Sequence, residues 1–340
     1  MNLQDVFCPY EECVDKGQTG KGNIVWFQRA RQRCKCTSCG RTFSYRRGTP
    51  FYGLRTDEAT VTKVVTLLAY GCPCQAIVAA FDLDERTVID WQHRAGQHSQ
   101  QVHEAQIRPL NLQQVQADEM RIKLQGGKVL WGAMAIMVGT RLWLGAVVSA
   151  QRDSRLISRL AHLVRRWAQR LALLIVFDGF AAYQDAFEQA FSDKQPPRTG
   201  GRARHCVWAL LTLAQVVKHK TQSTFQIARY VLRGSCTMLV HLRTCTQGGG
   251  TINTAFIERL NGTFRMCLAV LVRRTHGLAR TEQTVTAAVY LLGAVYNFCR
   301  VHTTLKHATP AMAAHFTDHV WSVSDLLWYR VKPGVQPSTV

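Results

Sequence analysis

The sequence predicts an α/β core preceded by two small, separately built units, a metal-stapled ribbon and an all-α domain. Three observations predict it. Two cysteine pairs fall before residue 50, short helical periods follow to about residue 114, and from Val115 apolar strand-like runs alternate with helical ones. Hydrophobic residues make up 47% of the 340, enough to build a core in two or three compact units. Lys and Arg total 42 against 22 Asp and Glu, a formal charge of +20. An excess that large repels itself unless a polyanion is near, so nucleic acid is the first partner class and an anionic membrane surface the second.

Residues 1–50 are rich in Cys, Gly, Arg and aromatics and poor in aliphatics. Cys8-Pro9-x3-Cys13 and Cys36-Thr37-Ser38-Cys39-Gly40 can set four thiolates tetrahedrally around one Zn²⁺, with Gly40 easing the second turn. So small a unit needs such a staple, because metal binding supplies its folding energy. Cys34 offers a competing pair with Cys36, and spacing alone leaves that choice open. Arg29, Arg31, Arg33, Arg41, Arg46 and Arg47 surround the ribbon as candidate phosphate contacts, which position a protein without reading bases.

In residues 51–114, Thr56 is placed to cap a helix from Glu58 to about Ala69, with Val61, Val64, Val65 and Leu68 on one face. Gly71-Cys72-Pro73 breaks it. A short helix over Cys74–Phe81, a turn at Asp82-Leu83-Asp84 and a helix over Glu85–Gln92 or slightly longer fit a helix-turn-helix. The second helix would turn Val88 and Trp91 inward and expose Arg86, Thr87, Gln92, His93 and Arg94 to DNA. Gln97–Gln114 is polar and reads as a linker.

The core, residues 115–315, opens with three strands, Val115–Leu124, Val129–Val138 and Leu142–Ala150, turned at Gly126-Gly127 and Gly139-Thr140. A helix over about Ser154–Arg170 and a buried strand at Leu171–Phe177 follow. A three-strand meander, a crossover helix and a parallel central strand is the opening order of a ribonuclease H-like fold. It would bring Asp118, inside the first strand, beside Asp178, at the end of the buried one. Paired carboxylates need a cation. A third acid is expected from a helix over Thr251–Val270, where Glu258, Asn261 and Arg265 share a face beside a stripe of Ile257, Leu260, Phe264 and Leu268. Glu188 is a rival with no suitable helix face, and Glu119, pointing to the opposite side of its strand from Asp118, is assigned no metal. Residues of about 193–250 read as an insertion: a loop from Pro196-Pro197 through Arg204, then a strand pair, Ala214–Lys220 and Gln226–Arg233, offering Lys218, Lys220, Arg229 and Arg233 to DNA. Residues 316–340 read as a tail.

The longest apolar stretches, Val129–Val138 and Leu171–Phe177, are far short of the roughly 20 residues of a membrane span. Asp5, Glu11 and Glu12 break any leading apolar segment, so the expectation is a cytoplasmic, nucleoid-associated protein whose cysteines are reduced.

Gln116-Ala117-Asp118-Glu119, Phe177-Asp178-Gly179 and Ile252–Arg265 resemble the three acidic blocks of DDE-type insertion-sequence transposases. Tyr296-Asn297-x2-Arg300-x-His302-x2-Leu305 with Thr309-Pro310-Ala311 is similar to the segment that closes such cores, and Arg33–Ser44 resembles the second knuckle of their zinc ribbons, which selects Cys36 and Cys39. The resemblance implies a metal centre of Asp118, Asp178 and Glu258 holding two Mg²⁺, or Mn²⁺, with Asn261 and Arg265 positioning phosphates and Arg300, His302 and Lys306 assisting. It implies hydrolysis at the ends of an insertion sequence and joining of 3′-OH ends to target DNA, by at least a homodimer on double-stranded DNA. The gap from Asp178 to Glu258 is longer than the resemblance calls for. A zinc-ribbon transcription regulator and a nuclease that never joins remain the alternatives.

Overall fold

The structure, a computed structural model, describes residues 2–195, 203–220, 225–271 and 279–333. The N-terminal ribbon is a three-stranded antiparallel sheet of β1 (Ile24–Gln28), β2 (Arg33–Cys36) and β3 (Thr42–Ser44). Three helices follow: α1 (Glu58–Ala69), α2 (Cys74–Phe81) and α3 (Glu85–Gln106). Asp57, not Thr56, caps α1, accepting from Thr60 N. Its carboxylate stands one position closer to the first turn, where an acid also meets the helix dipole. The turn between α2 and α3 is as read, with Val88 and Trp91 buried.

The helix after that turn is far longer than the sequence suggested. It runs on through the presumed linker to Gln106 and packs on α8 (Glu282–Phe298), itself buried from Ala287 onward. Polarity misled here, because the buried face is built from small and unusual residues. At Gly96 an added Cβ would come within 2.2 Å of the Ala287 carbonyl oxygen, so glycine alone permits the approach. His98 and His103 are buried, their Nε2 atoms paired with the carbonyl oxygens of Leu326 (3.2 Å) and Leu144 (3.1 Å). Burial holds both imidazoles neutral down to about pH 4. In the unfolded chain they would take a proton near 6.5, so stability is whole above that and drains away as pH falls toward 4. The expected loss is on the order of 3 kcal/mol per histidine by pH 4. Urea denaturation between pH 7.5 and 4.5 checks it: His103→Gln should flatten the slope, and an unchanged slope would remove His103 as a cause.

The central sheet comprises β4 (Gln114–Lys123), β5 (Val129–Met137), β6 (Trp143–Ser149) and β7 (Leu173–Phe177), with α4 (Ser154–Trp167) between β6 and β7. Then come α5 (Ala182–Ala190), β8 (Ser192–Gln195), β9 (Arg204–Val207), β10 (Leu211–Lys220) and β11 (Phe225–Arg233). The sheet order is β11-β10-β7-β4-β5-β6. β4–β5–β6 is the expected antiparallel meander, and β7 runs parallel to β4. The supposed insertion is only partly one. β10 lies parallel against β7 from Leu211↔Leu173 to Gln215↔Phe177 and belongs to the sheet proper. Its apolar start, Leu211, Leu213 and Ala214, is buried. The hairpin β8–β9 was not foreseen, since Ser-Asp-Lys-Gln carries no strand pattern. The loop after Gln195 lies outside the described residues up to residue 202.

One face of the sheet packs on α4 and α5, in a core continuous with that of the helical unit. The other is covered by α6 (Cys236–Gln247), α7 (Ala255–Cys267) and α8. After α8 come α9 (Pro310–Ala313) and α10 (Val323–Trp328). The segment read as a tail is therefore structural. Val323, Leu326 and Leu327 are buried, Trp328 lies 4.7 Å from the Phe51 ring and 5.4 Å from Tyr45, and Arg330 donates to the Tyr45 carbonyl. It straps the ribbon to the helices. Among the described residues no helix is long and apolar enough to cross a membrane.

Candidate metal centre and active site

Cys8, Cys13, Cys36 and Cys39 gather their sulfurs within 4.8 Å of one another. Cys8–Cys39 and Cys13–Cys36 are 3.6 and 3.8 Å apart, close to the roughly 3.8 Å edge of a tetrahedron built on metal–sulfur bonds of about 2.3 Å. The arrangement fits one metal ion. Burial would raise the Cys36 thiol, but N–H groups of Cys39 and Ser38 aimed at its sulfur bring it down to about 7. Cys34 shares the buried face of β2 yet stays outside the cluster, packed in the ribbon core, where burial pushes its thiol up to about 11.

The arginines read as phosphate contacts divide. Arg41 and Arg47 are exposed and flank the Tyr10 ring at 5.1 and 5.2 Å. Arg46 instead pins the ribbon to α1, bonding Glu58 (2.8 Å), Gln32 (2.9 Å) and the Leu54 carbonyl (2.9 Å). On α3, Arg86 is exposed, Thr87 and His93 are half-buried, and Arg94 is tied to Asp90 and the Tyr52 carbonyl.

The second cluster forms where strands end. Register aligns Gln116 with Val176, so Asp118 and Asp178 fall level on neighbouring parallel strands. Asp118 faces α7. Glu119 faces α4 and α5, as alternation requires, yet its carboxylate still comes close to those of Asp118 and Asp178. β4 and β7 pair no further than Gln116↔Val176, so no backbone separates the faces beyond that point, and the longer Glu119 side chain reaches round. Asp118, Glu119 and Asp178 each bring a carboxylate oxygen within 4.8 Å of the others and can bind a metal ion. Burial, then the charges of Asp178 and Glu119, push Asp118 up to about 7. Burial and Asp178 also raise Glu119, against bonds from Tyr183 and Arg152.

Three side chains outside the predicted set shape this cluster. Tyr183, stacked on Phe177 at 4.9 Å, donates its hydroxyl to Glu119 Oε2 (2.8 Å). Arg152, in the loop after β6, donates from Nε to Glu119 Oε1 (2.6 Å), stands 3.9 Å from Asp178 and lies over the Phe180 ring. Topology could have found it, since β4, β6 and β7 all leave the sheet at one end. Gln116 is the third. Its Oε1 accepts from Phe256 N and Ile257 N (3.0 Å each) and its Nε2 donates to the Asn253 carbonyl (2.7 Å). It thereby caps α7 from the neighbouring strand and sets that helix's rotation.

α7 is shorter at both ends than read, but its faces are right: Ile257, Leu260 and Phe264 are buried inside it and Leu268 just beyond. Asn261 is buried and donates Nδ2–H to Asp118 Oδ2 (2.7 Å). Glu258 lies one turn earlier, its Oε1 accepting from Lys218 and from the Thr254 hydroxyl (2.5 Å). Burial would raise it, but those two bonds outweigh burial and hold it below the ordinary carboxylate range. Glu258 is thus the one predicted acid turned toward a lysine rather than toward its partners. Lys218, read as a DNA contact, is that lysine; the Lys220 side chain lies outside the described residues. Arg265 is half-buried, its Nε without a hydrogen-bond partner among the described residues. Glu188 does stand on a helix, α5, but faces Arg233 on β11 and Gln184.

The closing segment is mostly architectural. Asn297 is fully buried and pairs with Trp143 N (2.9 Å) and O (2.8 Å), satisfying the edge of β6 as a further strand would. Arg300 stacks over Tyr70 at 4.5 Å, and His302 meets the Tyr296 ring edge-on at 4.8 Å. No protein-family model matches the chain, and no curated protein sequence matches it.

Proposed function

We propose that the chain is a DDE-type DNA transposase with a ribonuclease H-like core, a zinc ribbon and a helix-turn-helix. One observation carries the reading: Asp118 and Asp178 meet at the ends of adjacent parallel strands, and α7 lays Asn261 on Asp118 with Glu258 one turn away. Divalent ions bound there, Mg²⁺ or Mn²⁺, would supply an activated oxygen nucleophile and charge neutralisation for in-line phosphoryl displacement. The chain's own part is positioning. Asp118 and Asp178 fix the reacting centre on rigid strand ends, and Asn261 orients Asp118. Lys218 and Arg152 offer cationic groups around the site for the DNA backbone, and Arg265, one turn beyond Asn261 on α7, would add a third. Zn²⁺ suits the four sulfurs of the ribbon. Arg41, Arg47 and Arg86, with the +20 charge, favour double-stranded DNA as partner. Acting on two ends at once calls for at least a homodimer.

The test is a joining assay with pre-cleaved transposon ends and target DNA in Mg²⁺. The reading expects covalently joined product. Cutting of intact ends without joining would reduce the protein to a nuclease, and neither activity would leave a DNA-binding regulator.

A further inference from the structure

We infer that the first divalent ion is held by Asp118, Glu119, Asp178 and the side-chain carbonyl of Asn261, displacing the Arg152 guanidinium from Glu119 and Asp178, with Glu258 outside its ligand set. The inference rests on the metal-centre reading above and changes its membership.

Three observations carry it. The first is charge. Three carboxylates converge within 4.8 Å and, among the described residues, one guanidinium pairs with them, so 3 − 1 leaves two negative charges unmatched there. Glu258 needs nothing further, because Lys218 neutralises it. A divalent cation that displaces the guanidinium neutralises two of the three charges where the guanidinium neutralises one, and Glu258, already paired with Lys218, has no such deficit.

The second is an orphan acceptor. Asn261 is 1% exposed, and its Oδ1 has no hydrogen-bond partner among the described residues. That oxygen sits two bonds from the Nδ2 that touches Asp118. A carbonyl oxygen sealed from water with nothing to accept from is costly. A hard cation seated on Asp118 relieves that cost, since amide carbonyls are ordinary ligands of such ions.

The third is how Glu119 is held. Its side chain is 2% exposed, and Tyr183 fixes one oxygen while the other faces Arg152. This is the usual support of a ligating carboxylate: a hydrogen bond orients it and leaves one oxygen for a cation. Arg152 is 37% exposed and rests on the Phe180 ring, so it can leave toward solvent, or toward a DNA phosphate, without unpacking the core.

The experiment is Mn²⁺ titration of the full chain without DNA, followed by the electron paramagnetic resonance of free Mn²⁺. Glu119→Gln and Asn261→Ala should each weaken the tightest site about tenfold or more. Glu258→Gln should leave it within about twofold. Arg152→Gln should strengthen it, because the competing cation is gone; a merely structural ion pair would not move it that way. Circular dichroism and zinc content certify folding, and should Glu119→Gln fail to fold, Arg152→Gln and Asn261→Ala decide. Wild-type affinity in folded Glu119→Gln, loss of the tight site in Glu258→Gln, or weaker binding in Arg152→Gln each overturns the inference. The two readings fail separately. A chain that binds Mn²⁺ as described but never joins DNA refutes the transposase, and a chain that joins DNA with Glu119 irrelevant to binding refutes only this ligand set.

Discussion

Asp118→Asn is expected to lower strand joining by about a hundredfold to a thousandfold, the scale for removing a group that stabilises transition-state charge, while DNA-end binding stays within about twofold. The expectation follows from where Asp118 sits. It contacts Asn261 on α7, faces Asp178 across the strand ends, and burial with the charges of Asp178 and Glu119 pushes its carboxyl up to about 7, so it is the hub of the cluster. The amide is isosteric and can keep the bond to Asn261, so the fold should survive while one negative charge is lost. Asp178→Asn should behave alike, and the double variant should be scarcely worse than either, because residues that act as a unit are not additive. The measurement is product yield from pre-cleaved ends beside a gel-shift assay on the same DNA. Joining at the wild-type rate by a folded Asp118→Asn chain would end the catalytic reading.

Cys36→Ser is expected to dismantle the ribbon and leave the rest standing. Metal binding by such thiolate sites supplies about 10–16 kcal/mol of apparent folding energy, far more than a three-stranded sheet this small can replace. Cys36 is the right target because backbone N–H groups already hold its sulfur close to the thiolate form. Zinc content per chain should fall to near zero, and Trp26 fluorescence should shift as its packing on Tyr45 (5.3 Å) is lost. Cys34→Ala should retain its zinc, since Cys34 lies outside the cluster. A Cys34→Ala chain without zinc would show that the metal uses the Cys34–Cys36 pair, and a Cys36→Ser chain with full zinc occupancy would remove Cys36 from the ligand set altogether. DNA affinity should drop with the ribbon, because Arg41 and Arg47 lose their placement beside Tyr10.

Much of this architecture was legible where one period dominates the chain. β4–β6, α4 and β7 were read within a few residues, because strict apolar runs between glycine turns leave little choice. The errors share a physical origin. The second half of α3 looks like linker because its buried face mixes Ala95 and Val102 with Gly96, His98, Ser99 and His103, and the two histidines are accommodated there through carbonyl partners on distant segments. β10 looked like an insert because pairing with β7 joins residues far apart in sequence. In the site, Asp118 and Asp178 could be placed from strand ends alone. Glu119 could not, because alternation describes the middle of a strand and fails where its neighbour stops. Arg152, Tyr183 and Gln116 were missed because each acts through a tertiary contact, and no local spacing records one.

The unbroken α3 carries a consequence for distance. Twenty-two helical residues span about 33 Å, and they run without a hinge from the exposed Arg86 to the contact with α8. On the proposed reading, the unit that grips DNA is therefore fixed to the core by a rod rather than a tether.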